Sequence, residues 1–333
     1  MQIVKSLRDQ KDFEERFYVK EEGETDERYG CNPFKRPMEE YIRKGFVCID
    51  KPMGPSSHEV VVWVRRILEV EKTGHTGTLD PRVTGVLPIM IEQATKLVQI
   101  LQGSEKEYVC LMRLHGDVRR EDIERVMKMF EGKIYQRPPL KSAVKKRLRI
   151  REVKKIEILE IDGREVLFKV TTEAGTYIRK LCTDIGEVLG CGAHMQELRR
   201  TRTGIFTEDM CYTLQDLLDA YVFWKEEGEE KYLRQIIKPM ELAIADIPKV
   251  IVKDTAVDAI CHGADLTARG ICYIEKNVKK GRRVAIFTLK GELVALGVAT
   301  MDAEEMLRAK KGVVVDVTRV IMERGVYPRA WKK

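Results

Sequence analysis

Gly74-His75-Thr76-Gly77-Thr78-Leu79-Asp80-Pro81, followed by Gly85-Val86-Leu87-Pro88, sets a glycine-rich loop against an apolar run over residues 86–91. Two glycines let the main chain approach a ligand closely, and Pro81 holds Asp80 in extended backbone, outside any helix. A carboxylate presented on a rigid loop can act as a nucleophile or a base. Taken alone, the segment also has a plainer reading, in which Asp-Pro is a turn former and His75 a hydrogen-bonded loop histidine. Its neighbours supply the fold. Upstream, FVCID from Phe46 runs into Lys51-Pro52-Met53-Gly54-Pro55, a strand ending in a tight loop. Ser56 and Glu59 form a capping-box pattern, and Val60, Val61, Val64, Ile67 and Leu68 follow at helical spacing, which predicts a helix over about 57–70.

Downstream, the 86–91 run reads as a buried strand, EQATKLVQILQG as an amphipathic helix closing on Gly103, and KEYVCLMRL as another strand. Asp162-Gly163 between KKIEILEI and REVLFKVTT predicts a hairpin, because both central residues of such a turn must tolerate positive φ. TYIRKLCTDIGEVLG places Ile178, Leu181, Ile185 and Leu189 on one helix face. Hairpins mixed with helical crossovers make the fold class α+β, with a mixed or largely antiparallel sheet. Residues 1–45 form a charged extension with few periodic apolar positions, which needs a partner surface. Residues 46–247 form the larger domain, and a boundary falls near Ile247-Pro248. Beyond it ICYIE, RRVAIFTLK, ELVALGVAT and VVVDVTRVIM, with Lys290-Gly291 at a turn, predict a small β-barrel over 248–333.

With 333 residues, 44% of them hydrophobic, the chain can build a core for each of two domains. No stretch approaches the roughly 20 apolar residues of a membrane helix, and MQIVKSLRDQKDFEERF lacks a signal-peptide centre, so the chain reads as soluble and intracellular. Its eight cysteines include no C-x-x-C pair; they read as reduced thiols, with no metal site and no disulfide framework. The net charge of +7 is unevenly spread: Lys133 to Lys155 contains ten Lys/Arg against Glu152 alone. Such a run is either a solvated face or a contact surface for a polyanion such as RNA. No phosphate-binding loop or dinucleotide fingerprint occurs, so no cofactor is expected.

Five segments in order carry a resemblance: KPMGPSSHEV at 51–60, GHTGTLDPRVTGVLPI at 74–89, KEYVCLMRL at 106–114, EAGTYIRKL at 173–181 and LRRTRTG at 198–204. Together they closely resemble the successive motifs of the TruB/dyskerin family of RNA pseudouridine synthases. IYQRPPLKSAVKKR at 134–147 resembles that family's thumb, a segment spanning about 133–150. IVKDTAVDAICHGADL, KGELVALGVA and VIMERGVYPRAW resemble a PUA domain. With CNPFKRPMEEYI in the extension, the chain is similar to the archaeal, dyskerin-like branch that serves box H/ACA ribonucleoproteins.

The resemblance implies a role for each matching residue. Asp80 attacks or deprotonates the ribose of a flipped uridine; Arg179 pairs with it, and Tyr108 stacks on the base. Tyr177 is a second pocket aromatic, and Leu198 excludes water beneath the carboxylate. Lys51 and His75 lie near the pocket, His75 being associated with displacing the target nucleotide. The residues themselves leave other readings open: a surface role for Arg179 and a core role for either tyrosine. For RNA contact the resemblance and the charge nominate Arg137, Lys141, Lys145, Lys146 and Arg147 in the thumb, with the Pro138-Pro139 pair stiffening its tip. In the C-terminal domain they nominate Gly263 and Asp265, in a segment like one that reads an ACA trinucleotide, and Arg324 and Arg329 near the terminus, flanked by Arg319, Lys332 and Lys333. Implied partners are substrate rRNA or tRNA, an H/ACA guide RNA, a zinc-ribbon protein, a β-barrel thumb regulator and, through RNA, a kink-turn-binding protein. No membrane partner is implied. The chain stops at Lys333 without a Lys-rich tail, which favours an archaeal cytoplasmic setting. A stand-alone tRNA synthase, and more remotely a non-enzymatic RNA-binding scaffold, are the alternatives.

Overall fold

A computed structural model describes residues 13, 15–137 and 147–329; Pro138-Pro139, Lys141, Lys145, Lys146, Lys332 and Lys333 lie outside the described residues. Cα packing divides the chain into two units, Phe46–Ile237 and Met1–Gly45 with Lys238–Lys333.

The first unit is built on a mixed sheet, as the alternation of hairpins and crossovers predicts. Its main elements are β1 (Gly45–Lys51), α1 (Ser57–Ile67), β2 (Thr84–Ile91), β3 (Lys106–Leu114), β4 (Arg149–Asp162), β5 (Glu165–Thr172), α2 (Ile178–Val188) and β6 (Ala193–Thr203). The strands lie in the order Cys211–Tyr212, β1, β2, β6, β3, β5, β4, Gly132–Gln136. Pairing is antiparallel except where β2 meets β6 and Cys211–Tyr212 meets β1. Both faces of the Ser56–Glu59 capping box form, so α1 starts where the sequence predicts. It ends at Ile67 rather than at 70, because Glu69 takes a left-handed φ of 51°. EQATKLVQILQG becomes a 3-10 turn, Glu92–Leu97, followed by one α turn, Val98–Leu101; Glu92 itself sits at φ 44° and cannot open a regular α-helix. Asp162-Gly163 turns the β4–β5 hairpin with Gly163 at φ 55°.

Alternation along the strands buries one sheet face. Tyr108, Cys110 and Met112 of β3 and Val166, Phe168 and Val170 of β5 are buried, as are Leu181, Cys182 and Ile185 of α2. Cys110 and Cys182 meet at 3.6 Å, so α2 lies directly on β3. The helix approaches β6 as well, and a Cβ at Gly186 would lie 2.1 Å from the Ala193 nitrogen.

The second unit is a seven-stranded sheet in the order Phe17–Val19, Ile271–Glu275, Lys249–Val252, Arg283–Thr288, Leu293–Ala299, Val313–Val320, Leu266–Thr267. Its core includes Val250, Ile260, Ile274, Ile286, Val294, Met306 and Val315. The N-terminal segment is tied in by charged heads that meet main-chain carbonyls. Lys20 Nζ donates to the carbonyls of Met306, Leu307 and Ala309 at the end of helix Ala303–Arg308, and Lys290 Nζ donates to those of Asp26 and Tyr29. Residues 238–247 belong with this unit in space: Arg36 forks onto Glu241 at 2.7 and 3.1 Å, and both side chains are 2% exposed.

Breaking a buried ion pair from one side strands the other charge, which costs about 3–5 kcal/mol. Glu241→Ala removes the carboxylate onto which Arg36 forks and is expected to lower the unfolding temperature of this unit in calorimetry. An unchanged transition would contradict that role.

Candidate active site

The loop that carries Asp80 is pinned on both sides of it. Ser57, at the start of α1, both accepts from the Leu79 nitrogen at 2.7 Å and donates to the Leu79 carbonyl at 2.9 Å. Lys51, at the end of β1, is fully buried, and its ammonium donates to the carbonyls of Val83 at 2.8 Å, Pro52 at 3.0 Å and Pro81 at 3.2 Å. The Gly54 nitrogen also donates to the Pro81 carbonyl, and the Val83 nitrogen to that of Asp80. Asp80 thus stands between two residues whose peptides cannot swing, and its carboxylate points outward.

Arg179 meets it there. Arg179 is the second residue of α2, and its Nη2 donates to Asp80 Oδ2. The start of α2 is held by Gln136, which accepts from the Tyr177 nitrogen at 2.9 Å and donates to the Tyr177 carbonyl at 3.1 Å. Tyr108 and Leu198 are 8% and 9% exposed and lie on the sheet face that packs against α2, across the β3–β6 ladder. Asp80 and Arg179, by contrast, are 53% and 54% exposed. The expected exclusion of water around this pair is therefore not found in the chain alone. A wet ion pair contributes little stability, so its consequence is orientation of the carboxylate.

Lys51 differs from its expected place near a ligand. All three ammonium protons go to carbonyls, so it shapes the loop from beneath, and burial lowers its pKa. His75 accepts from the Gly77 nitrogen through Nδ1 at 3.2 Å; burial, and next the Arg200 charge, lower its pKa, so the ring is held neutral within the loop. In the first unit two buried cations, besides Lys51, escaped the sequence reading. Arg200, 1% exposed, donates to the carbonyls of Val86 at 2.8 Å and Gly77 at 3.0 Å. Lys106, 5% exposed, donates to those of Gln102 and Ser104. Arg200 stands inside the quoted LRRTRTG, and only its alternation with half-buried neighbours could have marked it as inward-facing. Gly85, at φ 102°, is required by the same strand, since a Cβ there would lie 2.2 Å from the Arg200 carbonyl oxygen.

Among the RNA-contact nominees, Arg137 and Arg147 are exposed at the two described edges of the thumb. The basic run is partly neutralised: Arg151, Lys154 and Lys155 pair with Glu173, Glu105 and Glu157. In the second unit, Gly263, Asp265, Arg324 and Arg329 are exposed, and Asp265 accepts from the Val317 nitrogen at 2.8 Å. A cavity of about 390 Å³ bordered by Met53, Arg82, Val109, Leu111, Leu167 and Arg199 lies on the sheet face opposite Tyr108. Among the described residues no cluster of three or more His, Cys, Asp or Glu could hold a metal ion, and no helix is long and apolar enough to cross a membrane.

Comparison with known proteins places this geometry. Residues 65–178 match the N-terminal domain of the TruB family pseudouridylate synthases and 179–245 the C-terminal domain of tRNA pseudouridylate synthase B. Residues 248–321 match the PUA domain and 9–61 the DKCLD (NUC011) domain. The chain is 76% identical to "Probable tRNA pseudouridine synthase B" of Archaeoglobus fulgidus, over 96% of this chain and 98% of that protein, and 59% identical to the protein of the same name in Methanocaldococcus jannaschii, over 96% and 95%. Among solved structures it is similar to a chain of an H/ACA RNP bound to a substrate RNA containing 2'-deoxyuridine, with 54% identity, a TM-score of 0.87 and coverage of 95% of this chain and 97% of that one. A chain of a Cbf5-Nop10-Gar1 complex matches with 56% identity, a TM-score of 0.86 and coverage of 94% and 96%.

Burial, and next the Arg200 charge, hold Lys106 at about 8, below its ordinary 10.5. Between those values the unfolded chain keeps a proton that the folded chain releases, so stability rises as pH climbs through that window. Lys106→Met should remove this rise, read as urea midpoints at about pH 7 and about pH 9.5. Parallel pH dependence in both proteins would contradict the burial.

Proposed function

Because the chain belongs to the TruB/dyskerin family of RNA pseudouridine synthases, we propose that it isomerises specific uridines of RNA to pseudouridine with Asp80 as the acting carboxylate. The observation that carries this reading is the pairing of Asp80 with Arg179 on a loop whose flanking peptides are pinned. In the reaction the bond from N1 of uracil to C1′ of ribose breaks, the base turns, and a bond from C5 to C1′ forms. The C5 proton is lost and N1 ends protonated, so the change balances without a co-reactant. Asp80 begins it by attacking the ribose carbon or by taking a ribose proton. Arg179 keeps the carboxylate aimed at the sugar, since one guanidinium proton donor fixes one oxygen and leaves the other for chemistry.

The target nucleotide reaches this carboxylate only after leaving its stack. Tyr108 and Tyr177 then offer π-faces, which grip a base without fixing its hydrogen-bond register and so allow it to rotate. Leu198 closes the apolar side. The bound nucleotide supplies the exclusion of water that the open pair lacks.

The domain beginning at residue 46 and ending at 237 is the catalytic one, with its thumb at about 133–150; 248–333 is the RNA-docking PUA domain, on which the extension 1–45 packs and with which 238–247 belong in space. RNA is the partner throughout: substrate with an H/ACA guide, held by Arg137, Arg147, Gly263, Asp265, Arg324 and Arg329 and by the thumb lysines 141, 145 and 146. Accessory partners are a zinc-ribbon protein, a β-barrel regulator of the thumb and, through RNA, a kink-turn-binding protein, in an archaeal cytoplasm. A second reading, guide-free modification of tRNA, is favoured by the name shared by the archaeal relatives.

Asp80→Asn is expected to abolish pseudouridine formation and leave RNA affinity unchanged, measured as product per bound RNA. A comparable yield from that variant would sink the assignment. Nucleotide-resolution mapping with and without guide RNA separates the two substrates: guide-dependent sites favour the first reading, guide-independent tRNA sites the second.

A further inference from the structure

A glutamine in the interior needs partners for both ends of its amide, and Gln136 is 1% exposed. Its amide bonds the main chain of one residue 41 positions away: Oε1 accepts from the Tyr177 nitrogen at 2.9 Å, and Nε2 donates to the Tyr177 carbonyl at 3.1 Å. The pattern is that of two opposed residues in an antiparallel ladder, which exchange both bonds. Tyr177 is the N-cap of α2, and its own side chain makes no capping bond. A helix start without a cap is loosely held, because its first nitrogens lack partners. The Tyr177 carbonyl also accepts from the Leu181 nitrogen at 3.0 Å, the bond that opens the helix. Gln136 therefore grips the residue at which α2 begins, and Arg179 stands two residues further along. The other strand of the same hairpin adds a second hold. Ile134 and Arg151 are register partners, and Arg151 donates through Nε to the Gly175 carbonyl and through Nη1 to Glu173 Oε1, both at 3.2 Å. The Glu173 nitrogen donates to the Glu152 carbonyl at 3.0 Å. Residues 173–177, which lead into α2, are thus clasped by both strands at the root of the thumb, Gly132–Gln136 and β4.

We propose that Gln136 is a positioning residue for the isomerisation, holding the start of α2 so that the Arg179 guanidinium meets Asp80. The inference rests on the reading of Asp80 and Arg179 as the catalytic pair. That pair is half exposed, and its attraction is too weak to align a helix. The alignment has to come from the elements that carry the two side chains. Lys51 and Ser57 supply it for the Asp80 loop, and Gln136 supplies it for α2 with a neutral group. An amide suits the place because it donates and accepts at once, whereas methionine does neither and an ionised glutamate only accepts. Two reciprocal bonds also fix the direction of the Tyr177 main chain, where one would let it pivot. Gln136 is buried and its amide is occupied by Tyr177, so it acts on the reaction through Arg179.

The test uses the assembled ribonucleoprotein with guide RNA and reads the single-turnover rate of pseudouridine formation beside RNA affinity. Gln136→Met removes both bonds and is expected to slow the reaction about 100-fold, the scale of a misplacement near 1 Å, with affinity unchanged. Gln136→Glu keeps the acceptor and loses the donor, and is expected to slow it about tenfold, the scale of one hydrogen bond. A helix start favours negative charge, so this isosteric variant keeps the fold and decides the matter even where Gln136→Met does not. Because Gln136 acts through Arg179, the losses of Gln136→Met and Arg179→Lys are expected not to multiply in the double variant. A wild-type rate in either Gln136 variant, an affinity that falls in step with the rate, or losses that multiply would each overturn the proposal. Failure here with Asp80→Asn inactive removes only the role of Gln136, whereas an active Asp80→Asn removes the catalytic reading beneath it.

Discussion

A carboxylate that works on a nucleotide has to remain in one place while it is open to water, because the substrate must enter before it can exclude solvent. Here the Asp80–Arg179 pair is half exposed and cannot hold itself by its own attraction. The constraint comes from beneath, where Lys51 and Ser57 occupy the main-chain groups of residues 79, 81 and 83. Cations suit this use. A buried ammonium or guanidinium offers several donors to carbonyls that would otherwise lie unsatisfied, and each neutral acceptor softens the desolvation penalty.

The same device recurs in the second unit. Lys20 meets three carbonyls at a helix end and Lys290 meets two in the N-terminal segment. In both units a long cationic side chain joins stretches distant in sequence, which a charged extension with few apolar residues cannot do by hydrophobic burial. Arg36 with Glu241 is the costlier variant, a dry ion pair whose geometry is bidentate.

The strands, the capping box of α1 and the Asp162-Gly163 hairpin were legible because each rests on local periodicity or turn chemistry. Asp80 and Arg179 were legible through ordered motifs, although 99 residues separate them. Other features were not. The end of α1 and the break after Ile91 depend on single residues with positive φ, Glu69 and Glu92, which no propensity marks. The burial of Arg200 and Lys106 follows only from strand pairing. Lys51 was read as a ligand contact because motif position says where a residue lies, not what its donors already hold. The basic run from 133 to 155 also read as more available than it is, since its acidic partners Glu105 and Glu173 lie elsewhere in the sequence.

The account turns on orientation of one acid by one arginine. Its most direct measurement is release of tritium from RNA bearing 5-tritiated uridine, in a single turnover by the assembled particle carrying Arg179→Met. Loss of the C5 hydrogen is intrinsic to the isomerisation, so the signal follows the chemistry itself. The account predicts that release falls by orders of magnitude while the RNA stays bound with unchanged affinity. Release at the wild-type rate from that variant would contradict it.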